Sequence, residues 1–201
     1  MVVATKQASS DPRVRRTRQL LMQAFGELQK RKSISAISVQ DIAEEATVNR
    51  ATFYAHFEDK YAFLDSWIRE EFQQVLASKL PSPSNLSASN LRMLIQEVFD
   101  FLGDFNSQCR RSDRQLEPMF ETAMQEELYK LLLSWLESSH ASGAQSRDTL
   151  EATALVISWA IFGPAVQWSR GGKSRSAEEM ADRVMVVVSD AVLAIVRTMS
   201  E

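Results

Sequence analysis

The sequence predicts an all-α protein: a small N-terminal three-helix domain containing a helix-turn-helix, joined by a linking helix to a larger C-terminal helical domain. Three observations carry this. Apolar residues recur at i, i+3, i+4 and i+7 in segment after segment, and no stretch alternates with the period of a strand. Helix-start residues stand immediately before several of these segments. Only six glycines and five prolines interrupt 201 residues, so long helices can run unbroken. The domains are drawn at 1–60 and 61–201, with the polar residues 1–10 expected to be disordered.

The first helix opens with Asp11 as N-cap and Pro12 at its first position. Leu21, Phe25 and Leu28 form its inner face; it stops near Lys32, and Ile34 and Ile37 join the same core. Ser38 caps the second helix and Asp41 can reach back to the cap, an acidic variant of the capping box. Val39, Ile42, Ala43 and Ala46 make one inward stripe. The pattern breaks at Thr47-Val48, and Asn49 caps a third helix ending near Phe57. Asp59 starts a fourth that runs to about Leu80, burying Leu64, Trp67, Ile68, Phe72, Val75 and Leu76. The run Pro81-Ser-Pro-Ser-Asn-Leu-Ser ends it and is the evident boundary in the chain. Further helices are expected at about 88–107, 116–139, 147–169 and 176–199, with a short extra turn near 109–114 and a Ser176–Glu179 capping box opening the last.

The second and third helices with their short turn are a helix-turn-helix. On the third, Phe53 and Phe57 share one side, while Ala51 and Ala55 lie nearly opposite, flanked by Thr52 and Tyr54. A helix that enters a major groove needs such a small outer face. Arg50 could reach a guanine edge or a phosphate, and Tyr54 a phosphate. Lys60, at a helix start where the macrodipole does not favour a cation, is best explained by an external anion. Taken singly, each residue also has an ordinary reading as helix former, packing or solvated charge. Charge supports the joint reading: residues 1–60 carry 10 Lys and Arg against 7 Asp and Glu, and the remainder 13 against 19. A basic head on an acidic body suits a protein with one end on phosphate. Lys30–Lys32 at a helix end could equally be a solvated face.

The run S-V-Q-D-I-A-E-E-A-x-V-N-R-A-T-F-Y-A-H-F-x-D-K-Y-A-F-L resembles the DNA-binding domain of the tetracycline-repressor family of bacterial transcription regulators, over about the first third of the chain. The resemblance implies that Ser38, Tyr54 and Lys60 contact phosphate, and that Gln40, Arg50, Ala51, Thr52 and Ala55 meet bases. His56 would lie at the edge, on phosphate or packed under the helix. It also implies a ligand-binding and dimerisation domain behind the head, with an unknown small-molecule effector. One departure stands out: the family usually has glycine where Thr47 stands, and a β-branched residue resists positive φ.

Eighteen uncharged residues lie between Glu151 and Arg170, yet two serines, a threonine, a glutamine and Gly163-Pro164 argue against a membrane span. This helix and the last are apolar on more than one face, which a 201-residue monomer can hardly cover. A homodimer is therefore expected, with Ile157, Ile161, Val184, Val187, Val188, Ala191 and Ile195 at its interface. Two such heads would read a palindromic operator on double-stranded DNA. Candidates for the effector pocket are Phe101, Phe105, Met119, Phe120, Met124, Trp135, Trp159, Phe162 and Trp168, although aromatics and methionines at helical spacing are more often plain core. Two histidines and a single cysteine offer no metal-ligand spacing, and no cofactor motif is present. Cys109 beside Arg110 and Arg111 could be a reactive thiol or an inert one. No nucleophile-base pair or phosphate loop points to an enzyme. The expected protein is a cytoplasmic, ligand-responsive regulator, a repressor by resemblance. The alternative is a helical protein–protein adaptor with a vestigial helix-turn-helix.

Overall fold

The computed structural model describes residues 11–81, 85–108, 111–139, 146–171 and 175–198, with backbone alone at 108, 111 and 190–198. All regular structure among these residues is helical. In order come α1 (Pro12–Gln29), a 3-10 turn (Ile34–Ala36), α2 (Val39–Glu45), α3 (Arg50–His56) and α4 (Lys60–Lys79). Then follow α5 (Ala88–Gln108), a second 3-10 turn (Arg111–Leu116), α6 (Glu117–Ser139), α7 (Arg147–Arg170) and α8 (Ala177–Thr198). The bounds fall within about three residues of those the periodicity and caps predict. Residues 1–10 and Cys109 lie outside the described residues.

The starts form for local reasons. Asp11 Oδ1 accepts from Arg13 N at 2.8 Å, and Asp59 Oδ1 from Ala62 N at 2.8 Å. Ser176 N donates to Glu179 Oε2 and Glu179 N to Ser176 Oγ, each at 3.1 Å, a reciprocal capping box.

The chain forms two compact units, one running to Trp67 and including Arg110–Gln115, the other comprising Ile68–Cys109 and Leu116 onward. In the first, Leu21, Phe25, Ile37, Ile42, Phe53, Phe63 and Leu64 are fully buried. The Phe63 ring lies 5.4 Å from Phe25, 5.4 Å from Phe53 and 4.9 Å from Phe57, and Trp67 lies 4.9 Å from Phe25. The head therefore extends past residue 60, because the first two turns of α4 supply two rings that close its core.

In the second unit α5 packs against α7 and α8, and α6 against α7. Leu94, Val98, Phe99, Phe120, Met124, Leu128, Leu132, Ile161 and Ala165 are fully buried there. One polar pair joins them: Gln125 Nε2 donates to Ser158 Oγ at 3.0 Å, and that hydroxyl donates to Leu155 O at 2.8 Å. α7 continues through Pro164 to Arg170. It is the one helix among the described residues long and apolar enough to cross a membrane, and 44% of its apolar window is buried against neighbouring helices.

That packing corrects four expected interface residues. Ile157, Ile161, Val184 and Val188 are buried within their own unit at 7% exposure or less. Periodicity identifies a face that must be covered, not what covers it, and here α5 and α6 do so. Val187 is 68% exposed; the side chains of Ala191 and Ile195 lie outside the described residues. Among the described residues of α7 and α8, the large apolar side chains left open are Leu155, Val156 and Trp159 on α7, with Val186 beside Val187 on α8.

Candidate nucleic-acid interface

The turn between α2 and α3 is a helix C-terminus followed directly by an N-cap. Ser38 Oγ accepts from Asp41 N at 3.1 Å while Asp41 Oδ2 accepts from Ser38 N at 2.8 Å, so α2 begins with the reciprocal box. Lys32 Nζ donates to the same carboxylate at 2.6 Å. Lys32 first, then the Ser38 hydroxyl and amide, hold Asp41 well below the usual carboxylate range. At the other end Val48 N donates to Ala43 O at 2.9 Å and Thr47 N to Glu44 O at 3.0 Å. This bond pair is a Schellman motif, which requires a left-handed residue at its pivot. Thr47 occupies it with φ 55°. The absent glycine is thus replaced by strain rather than by another turn. Asn49 Oδ1 then accepts from Ala51 N at 2.8 Å and starts α3.

α3 turns Phe53 and Phe57 inward and leaves Arg50, Ala51, Tyr54 and Ala55 exposed, with Thr52 and His56 half-buried. Arg50 Nη2 donates to Tyr54 Oη at 3.1 Å, which aligns the two along one edge. Gln40 Nε2 donates to Glu44 Oε1 at 2.6 Å on the exposed side of α2. Ser38, Gln40, Arg50, Tyr54 and Lys60 line one concavity of about 390 Å³. His56 is drawn below its ordinary value by burial and then by the neighbouring Arg18. Arg18 itself lies over the Phe57 ring at 4.5 Å, bracing the underside of the head.

Lys60 has partners that its position in the sequence does not reveal. Its Nζ donates to Ile34 O at 2.8 Å and to Ser35 O at 3.1 Å. An ammonium has three donors, so one remains for an external acceptor. Burial lowers its pKa, opposed by Asp113 and Asp41. Lys30, Arg31 and Lys32 pair with Glu27, Glu45 and Asp41 at 2.7, 2.8 and 2.6 Å, so they are less available to phosphate than a bare charge count suggests. Sequence reading missed Asp113: it is 1% exposed and its Oδ1 accepts from Ser35 N at 2.8 Å, 78 positions away. No local pattern signals such a pairing.

In the second unit the expected pocket residues divide. Phe120, Met124, Trp135 and Phe162 are core at 2% exposure or less, and Trp159 is a surface residue at 54%. Phe101, Phe105 and Phe120 form a ring series at 6.4 and 5.3 Å, and Met119 is half-buried. Trp168 packs on Phe99 at 5.4 Å, and its indole N–H donates to Arg175 O at 3.0 Å rather than standing free for a ligand. A groove of about 400 Å³ lies elsewhere, floored by Leu76, Leu80 and Leu131 and edged by Gln73, Glu127 and Lys130. Burial would raise the Glu127 carboxyl, but hydrogen bonds from Lys130, Gln73 and Arg69 outweigh it and leave it lowered.

Capped α2, a Schellman turn and an α3 with small exposed outer residues define a helix-turn-helix of the kind that reads DNA. Residues 24–66 match the family described as bacterial regulatory proteins, tetR family. A Bacillus subtilis (strain 168) protein, the uncharacterized HTH-type transcriptional regulator YxbF, is 32% identical over 72 residues, 35% of this chain and 19% of that protein. The matched stretch thus spans about a fifth of that relative's length. Two solved structures share the fold. FadR of Thermus thermophilus, a TetR-family transcriptional repressor in complex with lauroyl-CoA, is 21% identical over 85% of this chain and 92% of that one, with a TM-score of 0.56. The flavonoid-responsive regulator FrrA is 22% identical over 88% and 96%, with a TM-score of 0.53.

Proposed function

We propose that the protein is a cytoplasmic repressor that binds a palindromic operator as a homodimer and is released when a small molecule binds its second unit. The observation that carries this reading is the concavity in which Ser38, Gln40, Arg50, Tyr54 and Lys60 converge beside exposed Ala51 and Ala55. In this reading Ser38, Tyr54 and Lys60 contact phosphate, Gln40, Arg50, Ala51, Thr52 and Ala55 meet base edges, and His56 lies at the rim. Dimerisation is supported by α7 and α8, which pack together and expose Leu155, Val156, Trp159, Val186 and Val187. Two neighbours of this fold, one solved with lauroyl-CoA and one flavonoid-responsive, support a small-molecule effector.

Selection of bound duplexes from a random pool tests the reading. The wild type is expected to enrich a palindrome whose affinity falls steeply with salt. Tyr54→Phe with Lys60→Ala should bind it more weakly, with a log–log salt slope shallower by about 1. Enrichment of no duplex, or equal binding by the double variant, overturns it. A protein adaptor acting through apolar contacts would lack the salt dependence. Sedimentation of Trp159→Glu with Val187→Glu should give a monomer where the wild type gives a dimer.

A further inference from the structure

We propose that Asp113 is a positioning residue for DNA binding: it anchors the Ile34–Ala36 turn, whose carbonyls aim the Lys60 ammonium at a phosphate. This rests on the DNA-binding reading above. The geometry within the first unit is a relay through a single peptide-bearing residue. Asp113 Oδ1 takes the Ser35 amide at 2.8 Å, and the Ser35 carbonyl accepts from Lys60 Nζ at 3.1 Å, alongside Ile34 O at 2.8 Å. Asp113 is 1% exposed, and a buried carboxylate on a backbone N–H is a short, strong and geometrically narrow contact. Lys60 is also half-buried, and the Asp113 charge helps to keep it protonated there.

A residue acting through Lys60 must lose its effect when Lys60 is gone. The measurement is the Kd for the duplex that wild type enriches, in a cycle with Lys60→Met. Asp113→Ala is expected to raise Kd about tenfold in the wild-type background and less than about twofold in the Lys60→Met background, the size of one charge-assisted hydrogen bond. Asp113→Glu keeps the charge but displaces the carboxylate by one methylene; it should weaken binding several-fold, again only where Lys60 is present. It also serves if the alanine variant does not fold. Equal losses in both backgrounds, or none in either, overturn the proposal. Hydrogen exchange at the Ser35 amide, followed without DNA, separates this from the reading it rests on. Faster exchange in the Asp113 variants supports the anchor even if no duplex is bound, and unchanged exchange refutes it even if one is.

Discussion

Replacing Thr47 by glycine should stabilise the protein, although it deletes a side chain and inserts a residue usually harmful in helical surroundings. Thr47 is held at φ 55° at the pivot of the turn, where a non-glycine residue carries about 1–2 kcal/mol of backbone strain. Its side chain is exposed, so truncation removes no core contact. The two backbone bonds of the motif, Thr47 N to Glu44 O at 3.0 Å and Val48 N to Ala43 O at 2.9 Å, do not depend on a side chain and survive. Against the strain relief stands the greater freedom of glycine in the unfolded chain, about 0.4–1 kcal/mol. The net gain is about 0.5–1 kcal/mol, worth roughly 1–4 °C in melting temperature for a chain of this size. Thr47→Ala isolates the terms: it keeps the Cβ in the left-handed region and loses only the branch, so it should stay within about 0.5 kcal/mol of wild type. Calorimetric melts of the three proteins decide. A lower melting temperature for Thr47→Gly, with Thr47→Ala unchanged, would refute the claim that this turn is strained.

Two further outcomes follow from the buried and capping carboxylates. Glu127→Gln removes the carboxylate, 5% exposed, that Arg69 meets at 3.1 Å and Lys130 at 2.7 Å, and leaves Arg69 with Glu126 alone; urea unfolding should show a loss of about 2 kcal/mol, and a change under about 0.5 would remove this network from the account. Asp41, held below its ordinary 3.8 by Lys32 and Ser38, contributes stability that is complete above about pH 4 and declines as pH falls below that value. Melts of Asp41→Asn and wild type should therefore differ by about 1 kcal/mol at pH 7 and converge toward pH 2; a constant gap would show that the charge does not carry the effect.

Most of the fold was legible because it is local. The caps at Asp11, Ser38, Asn49 and Ser176, the stripes through Phe25, Ile42 and Phe53, and the break at Pro81 depend on neighbours within a few residues. The outer face of α3 was legible for the same reason: a helix with Phe53 and Phe57 inside must turn Ala51 and Ala55 out. Reading failed where two apolar faces had to be assigned to different partners. Ile157, Ile161, Val184 and Val188 form as regular a stripe as any interface, yet they fill the chain's own core, while Leu155, Val156 and Trp159 on α7 are left outside.

The order of residues by itself determined the helices, their ends and the residues that α3 presents, because hydrogen bonds between near neighbours and a 3.6-residue repeat are properties of the chain alone. Tertiary structure alone decided that Lys60 rests on the carbonyls of Ile34 and Ser35, and that Asp113 holds Ser35 from 78 positions away. Those contacts join segments whose separation along the chain carries no periodic signal, and they exist only once packing has brought the segments together.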